Sequence, residues 1–288
     1  MTSMSHTLNT PLHTVQYLTV VLSLVLVTLT GSAMADDKIP LKSEIVLTSE
    51  VKWDQLNPAR GAQSPRAGTL WGDRNGRGPT GFLFNPVDGF QSPPHVHNVS
   101  YRGIVIRGLV HNDDPKAENM WMPKSSFWTQ PKGQDHITSA QGQDTLAYIE
   151  IEEGPYLVHP SEEKFDTQEV PVNIDASNLV WVDAPSGQGT KLAYLWGSPR
   201  EGQLNGTLLK LPVGSSTVIR SRDSNFRAVV IQGQPRYRRP DTGEVVSLEP
   251  GSLFMANGAA DHELSSSQGS DVVVYLRSKG NFELGSGS

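Results

Sequence analysis

Two histidines stand one residue apart in the segment GFQSPPHVHNVSYRGIVIRG, which runs from Gly89 to Gly108. Residues two apart on a β-strand face the same side, so His95 and His97 would present both imidazoles to one space. A third histidine, His136, follows a Pro-Lys-Gly turn sequence. Neutral imidazole is the commonest metal ligand, and three of them leave positions open on a divalent ion. The set therefore predicts a metal site that can accept a further ligand.

A histidine inside a polar barrel can also be a residue that merely forms hydrogen bonds, and this alternative applies to each of the three alone. Their number and spacing favour metal binding. The residue types fit iron, zinc, manganese or copper alike. Tyr101 has the same strand parity as the His95–His97 pair. A phenol with a pKa near 10 ligates metals reluctantly, so Tyr101 is predicted as a catalytic residue that orients substrate rather than as a ligand.

The sequence repeats itself at an offset of 125 residues. Leu70-Trp71-Gly72 superimposes on Leu195-Trp196-Gly197, and the ungapped register continues to Gly108 and Gly233. Both copies contain short runs rich in Val, Ile and Tyr that are bounded by Gly, Pro, Asn or Asp, which is typical of β-strands. The pattern predicts a duplicated all-β chain of sandwiches or barrels.

The N-terminal segment 1–35 predicts a signal peptide. Leu18–Thr30 is an apolar or near-apolar run of thirteen residues, shorter than the ~20 that span a bilayer. Ala33 and Ala35 supply the small residues that signal peptidase accepts. We expect a periplasmic or secreted protein without a membrane anchor; a retained anchor is the alternative.

Composition limits the classes of partner. Lys and Arg number 24 against 30 Asp and Glu, and the net charge of −6 argues against nucleic acid, whose phosphates require a basic surface. The chain has no cysteine, which excludes disulfides, thiolate metal sites and cysteine nucleophiles. A small-molecule ligand or substrate is the expected partner.

The motif around the histidines resembles that of a known superfamily. The spacing of the glycines and the His-Val-His sequence between Gly89 and Gly108 is similar to the first cupin motif, with Tyr101 at the position of a glutamate. Pro131–His136 is similar to the second cupin motif. The chain thus resembles the cupins, as a two-domain bicupin, and is similar to bacterial ChrR-like cupins of mostly unassigned activity. The resemblance implies homodimers, which many cupins form.

This resemblance implies two tandem cupin barrels, each a double-stranded β-helix or jelly roll. We predict an N-terminal metal-binding barrel at 36–165 and a degenerate C-terminal barrel at 166–288. In the second repeat Arg220 and Arg222 occupy the positions of the paired histidines, while His262 keeps the last ligand position. Two cations beside one histidine would repel a divalent metal. The second barrel is then either a scaffold or a site for an anion such as a carboxylate.

The metal set is similar to those of three-histidine dioxygenases, which implies an oxygenase-like enzyme for a small organic molecule. A non-catalytic ligand-binding or sensing protein is the alternative. Strand parity and position near the second motif suggest Gln130, Trp128 and Glu150 as substrate-binding residues. The acidic segment His111–Asp114 follows a strand and precedes Pro115, so a solvated turn is expected there.

Overall fold

Short runs of β-branched and aromatic residues become antiparallel strands, as the sequence predicts. The computed structural model describes residues 40–266 and 269–287, and the predicted signal peptide lies outside them. In chain order the strands are β1 (Ser43–Val46), β2 (Trp53–Gln55), β3 (Arg66–Trp71), β4 (Thr80–Asn85), β5 (His95–His97), β6 (Tyr101–Asp113), β7 (Phe127–Gln130), β8 (Ile137–Ile151), β9 (Val158–Pro160), β10 (Val172–Ile174), β11 (Val182–Asp183), β12 (Lys191–Gly197), β13 (Leu204–Leu211), β14 (Ser216–Ser221), β15 (Arg227–Gln232), β16 (Arg236–Arg238), β17 (Val245–Ser247), β18 (Leu253–Ala256), β19 (Ala260–Ser265), β20 (Val272–Lys279) and β21 (Glu283–Ser286).

The helices of the described residues are short 3₁₀ turns at Thr48–Glu50, Pro58–Gln63, Ser161–Glu163 and Ala176–Asn178. No helix in this part of the chain is long and apolar enough to cross a membrane.

Two seven-stranded sheets dominate the fold. One has the order β10-β7-β6-β8-β4-β3-β2 and the other has the order β1-β18-β15-β20-β13-β12-β11. A five-stranded sheet, β17-β16-β19-β14-β21, accompanies the second, and the two-stranded sheet β5-β9 carries the paired histidines of the first half. The predicted all-β class is confirmed.

Strands from the start of each half pair with the sheet of the other half. β1 pairs with β18, placing Ser43 opposite Ala256, and β10 pairs with β7, placing Val172 opposite Thr129. The described residues from 40 onward form one compact unit. The division into domains at 36–165 and 166–288 therefore stays a prediction from the repeat.

The central strands are apolar on both faces because both faces are buried. On β8, Leu146 and Tyr148 join a core cluster that also contains residues of the second seven-stranded sheet, such as Tyr275. Ala147 and Ile149, which alternate with them, join the separate core inside the first half. This alternation decides which side chains of β8 reach the histidines.

Candidate metal centre

β5 and the start of β8 bring the three histidines together. His95–His97 forms a three-residue strand that pairs with β9. His136 immediately precedes β8, and its N–H and C=O exchange hydrogen bonds of 3.0 Å with those of His95. These two backbone hydrogen bonds join the two predicted motifs directly. They bring the side chains of His95, His97 and His136 into one cluster.

The three rings pack against one another and are buried. Their centroids are 5.0 Å apart for His95 and His97, 4.2 Å for His95 and His136, and 5.2 Å for His97 and His136. One ring nitrogen from each histidine lies within 4.8 Å of those of the other two. Such a triangle is suited to a single ion with three nitrogen ligands.

Backbone carbonyls fix the tautomer of each ring. In every case the Nδ1 atom faces a carbonyl oxygen: His95 that of Pro93 at 2.9 Å, His97 that of Leu157 at 3.0 Å and His136 that of Gln134 at 3.2 Å. A carbonyl only accepts, so Nδ1 carries the hydrogen and donates it. The Nε2 lone pairs are then left for a metal, which is the arrangement usual around protein-bound zinc and iron.

Burial keeps these imidazoles neutral. Desolvation lowers the pKa of His95, lowers that of His97 well below its usual value, and lowers that of His136 to about 3. The charge that each ring would place on its neighbours depresses the pKa values of His97 and His136 further. A neutral ring with a free lone pair is the form that ligates a metal, so these residues fit the predicted ion.

Tyr101 lies beside the cluster as a neutral phenol. Its hydroxyl donates to Oδ1 of Asn112 at 2.8 Å and lies 3.3 Å from Nε2 of His136. Desolvation raises its pKa above the usual 10. Since its proton is already committed to Asn112, the hydroxyl oxygen is what the phenol can offer to a molecule at the site, and its catalytic role stays a prediction.

Asn112 corrects the expectation of a solvated turn at His111–Asp114. Residues up to Asp113 continue β6, and the Asn112 side chain is buried. Its Oδ1 also accepts from the Thr138 hydroxyl at 2.8 Å, and its Nδ2 donates to Oε1 of Gln130 at 2.9 Å. The strand is longer than predicted because β8 pairs with it as far as Asp113.

Tyr156, which no motif indicates, is a second phenol at the site. It stacks on His97 with centroids 4.5 Å apart, and its hydroxyl lies 3.3 Å from Nε2 of that ring. It lies between β8 and β9 in a segment without periodicity, so only the pairing of β9 with β5 brings it there.

A cavity of about 640 Å³ opens onto His95 and His97. Its walls are mostly aromatic and aliphatic, and Trp128 lines it as predicted. Gln130 instead lines a separate pocket of about 560 Å³ that borders His136. Its amide oxygen accepts a hydrogen bond from Asn112, whose own amide oxygen accepts from the Tyr101 hydroxyl. Gln130 is therefore linked to the site indirectly, through Asn112.

The structure places Glu150 away from this cavity, which corrects the parity-based expectation. It follows Ile149, a cavity residue, and so points to the opposite face of β8, toward the second sheet. There it accepts hydrogen bonds from Tyr148 at 3.1 Å and Tyr275 at 2.7 Å, and Arg277 lies 3.8 Å away. Burial raises the pKa of this carboxyl, whereas Arg277 opposes the rise.

The predicted anion site of the second half is not brought together. Arg220 lies on the outer side of β14, and Arg222 directly follows that strand; they pair with Asp261 at 3.5 Å and Glu283 at 3.0 Å. His262 is buried on the inner side. The repeat register therefore misplaces the arginines by one residue, since Ile219 and Ser221 are the inward-facing positions of β14.

His262 is a satisfied core histidine. Tyr237 contacts its Nδ1 at 2.8 Å, the Ser221 hydroxyl lies 3.3 Å from its Nε2, and Phe226 stacks on its ring. Among the described residues, the potential metal cluster is the one in the first half.

Comparison with known proteins assigns the chain to a sequence family. The sequence profile described as "Domain of unknown function (DUF4437)" matches residues 44–285. No curated protein matches the chain.

Solved structures with the same fold include cupin-type proteins. A "putative dioxygenase" from Nostoc punctiforme is 15% identical with a TM-score of 0.62, covering 86% of each chain. A mutant oxalate decarboxylase from Bacillus subtilis is 10% identical with a TM-score of 0.53, covering 84% of this chain and 78% of that one. Vicilin from Corylus avellana is 10% identical with a TM-score of 0.53, covering 82% and 85%. These similarities show the cupin-type fold.

Proposed function

The chain belongs to the DUF4437 family, and from this premise we propose that it is a metal-dependent enzyme of the oxygenase type acting on a small organic molecule. The observation that carries the proposal is the triangle of three neutral imidazoles, each with Nδ1 held by a carbonyl, two of which, His95 and His97, line a cavity of about 640 Å³. Cavities of this size are typical of small-molecule sites. Three protein ligands leave the open positions that a reacting centre needs.

Each part of the site has a defined task in this proposal. His95, His97 and His136 would hold the ion, and a redox-active metal such as iron or manganese would supply the activation of dioxygen. Tyr101, with its proton donated to Asn112, would orient a bound molecule through its hydroxyl oxygen. Tyr156 covers His97 and would exclude water from that ligand.

A non-catalytic ligand-binding protein is the second candidate. Within the described residues, the cavity is lined by no Asp, Glu or Lys, so its general acids or bases are limited to the histidines and the two phenols. Zinc in the site, with no turnover of any compound that binds, would favour this candidate, because zinc has no redox chemistry.

Export and a bicupin origin belong to the same proposal. The signal-peptide pattern of residues 1–35 supports a periplasmic or secreted location, and a mature N-terminus at Asp36 in mass spectra of exported protein would test it. The motif spacing supports a relation to the ChrR-like cupins, and a hydrogen bond that recurs in both halves supports a bicupin: Trp71 Nε1 donates to Tyr148 at 2.9 Å, and Trp196 Nε1 donates to Tyr275 at 3.0 Å.

Metal analysis of protein isolated from the periplasm without added metal tests the proposed function. We expect about one iron or manganese per chain, and oxygen uptake when a substrate is supplied. The double variant His95→Ala/His97→Ala should lose the metal, because one imidazole cannot retain the ion.

The control variant is His262→Ala, which removes an equally buried histidine from the second half. It should retain the full metal content. Circular dichroism of both variants separates metal loss from unfolding. A folded double variant that still holds one metal per chain would show that the ion binds elsewhere and would refute the site.

A further inference from the structure

The cavity beside the histidines contains one fully charged side chain. Leu56, Phe84, Phe90, Trp128, Ile149 and Leu157 contribute to its apolar wall, and Arg60 is the cation among the lining residues. Arg60 takes part in none of the ion pairs formed within the described residues. An arginine beside an apolar cavity without a carboxylate partner is suited to binding an anion from outside the chain.

Local structure holds Arg60 in place. It lies on the 3₁₀ helix Pro58–Gln63, whose first turn is capped by the Asn57 side chain accepting from the Ala59 N–H at 3.2 Å. The guanidinium lies 5.0 Å from the centre of the Phe90 ring, and its Nη2 donates to the Gln91 carbonyl at 3.2 Å. One hydrogen bond leaves the other donors of the guanidinium fork available.

Arg60 and the histidines are close enough for one small molecule to reach both. Gln91, which anchors the guanidinium, is four residues before His95, and four extended residues span at most about 14 Å. The rim is apolar as well, because Leu157 and Val158 line the cavity and are 45% and 59% exposed. An apolar ligand with one or two rings is small enough for this cavity of about 640 Å³, whose lining includes both the cation and two of the imidazoles.

The charges around the cavity favour a ligand with a negatively charged group near Arg60 and another near the histidines. Neutral histidines do not offset the charge of a bound divalent ion, and no lining residue of the described cavity carries a negative charge. With Arg60 at the other end, the apolar cavity would be electropositive throughout.

We propose that the substrate is an apolar, ring-containing carboxylic acid whose carboxylate pairs with Arg60 while donor atoms at its other end face the three histidines. This inference rests on the proposed function, since it assumes that the ion occupies the histidine triangle. It adds the substrate class and a specificity-determining residue.

Matched hydroxamic acids test the role of Arg60 without turnover. The probes are 4-(hydroxycarbamoyl)benzoate, its 4-carboxamide analogue, and the corresponding acid and amide on a biphenyl spacer. Both members of a pair have the same metal-binding hydroxamate and differ only in the charge at the far end. Affinity for the zinc-loaded protein is measured by calorimetry at pH 7.5. We expect at least one acid to bind tenfold or more tightly than its amide, and Arg60→Gln to reduce that ratio to about one.

Arg66→Gln is the matched control, because Arg66 also makes a hydrogen bond to a neutral acceptor, Asn85, and lies over a ring, that of Trp53, but does not line this cavity. The acid-to-amide ratio should be unchanged in this variant. The inference would be overturned if the acid-to-amide affinity ratio were equal in wild type and Arg60→Gln. It would also be overturned if none of the four probes bound to zinc-loaded protein. Failure of wild-type protein to retain zinc would instead refute the proposed function.

Discussion

Hydrogen bonding divides the side chains around the histidines into metal ligands and residues that position other groups. In each of the three imidazoles Nδ1 donates to a backbone carbonyl, and Nε2 keeps the lone pair that would bind an ion. The hydroxyls of Tyr156 and Tyr101 lie 3.3 Å from Nε2 of His97 and His136. Tyr101 has no such lone pair prepared for an ion: it keeps its proton, which it donates to Asn112, and burial raises its pKa. Deprotonating such a phenol in order to ligate a metal would cost more than it does in water. Residue type and local bonding therefore agree that the ion would have three protein ligands.

Replacing Tyr101 by phenylalanine tests this division. We expect Tyr101→Phe to keep one metal per chain with an affinity within about threefold of wild type, because the imidazoles are untouched. Loss of the hydrogen bond to Asn112 should lower the free energy of unfolding by about 1 kcal/mol, while oxygen uptake with a substrate should fall more steeply than metal content. Metal titration and urea unfolding measure the first two quantities. A folded variant without metal would identify the phenol as a ligand.

At the scale of strands, the sequence predicts the histidine cluster well because its spacing follows the strand period and the turn between motifs. His95, His97 and His136 come together as expected. The alternation of side chains along a strand shows which residues share a face but not which face is inward. Bulges between β6 and β8 also shift the register of the pairing. Glu150 therefore faces the second sheet instead of the cavity, and the inward positions of β14 fall one residue away from Arg220.

Tyr156 and Arg60 were not predicted because irregular segments carry them. A short 3₁₀ helix holds Arg60, and a loop leading to β9 holds Tyr156. Neither segment has a hydrophobic period or a motif, so only tertiary packing brings these side chains to the histidines. Arg60 and Tyr156 thus complete the wall of the site although they lie 35 and 20 positions from the nearest of the three histidines.

Gly103 lets β6 pass directly under the ring of Trp128. A β-carbon built at Gly103 would overlap the Trp128 indole closer than any van der Waals contact. Because Trp128 is fully buried and lines the cavity, the ring has little room to move. We expect Gly103→Ala to lower the free energy of unfolding by about 1–3 kcal/mol, as overpacked cores do.

Gly78 provides the matched control for this substitution. A β-carbon there meets no atom within 4 Å, so Gly78→Ala should change the free energy of unfolding by less than about 0.5 kcal/mol. Chemical denaturation of both variants gives the comparison. If the two substitutions had equal effects, the close approach of β6 and Trp128 would not constrain the strand.

At the scale of the whole molecule, a polar network joins the two seven-stranded sheets inside an apolar interface. Glu150 and Arg277 are 1% and 4% exposed by side chain. In the later part of the repeat the offset widens from 125 to 127 residues, so that Gln141-Gly142 matches Gln268-Gly269 and Tyr148 matches Tyr275. Both tyrosines donate to Glu150, and Arg102 lies 3.7 Å from it. The duplicated position of Glu150, 127 residues later, is Arg277 itself. The two aligned positions thus carry opposite charges, which meet at the interface.

A double-mutant cycle on Glu150 and Arg277 tests whether this pair stabilises the association of the two sheets. Arg277→Met leaves the Glu150 carboxylate buried with less compensation, so we expect it to lower the free energy of unfolding by about 3–5 kcal/mol at pH 8. The double variant Glu150→Gln/Arg277→Met should be less destabilised than the sum of the single changes by about 1–3 kcal/mol. Urea unfolding at constant ionic strength measures all four proteins.

The sign of the pH dependence provides an independent check on the same pair. Burial already raises the pKa of Glu150, and Arg277 opposes that rise, so Arg277→Met should raise the pKa further. The folded variant then takes up a proton that the unfolded chain does not bind, and its destabilisation should shrink as the pH falls from 8 to 5. Arg238→Met, which breaks a largely exposed pair with Glu263, should cost less than about 1 kcal/mol at both pH values. A penalty for Arg277→Met that is as small as this control would mean that the apolar contacts alone hold the sheets together.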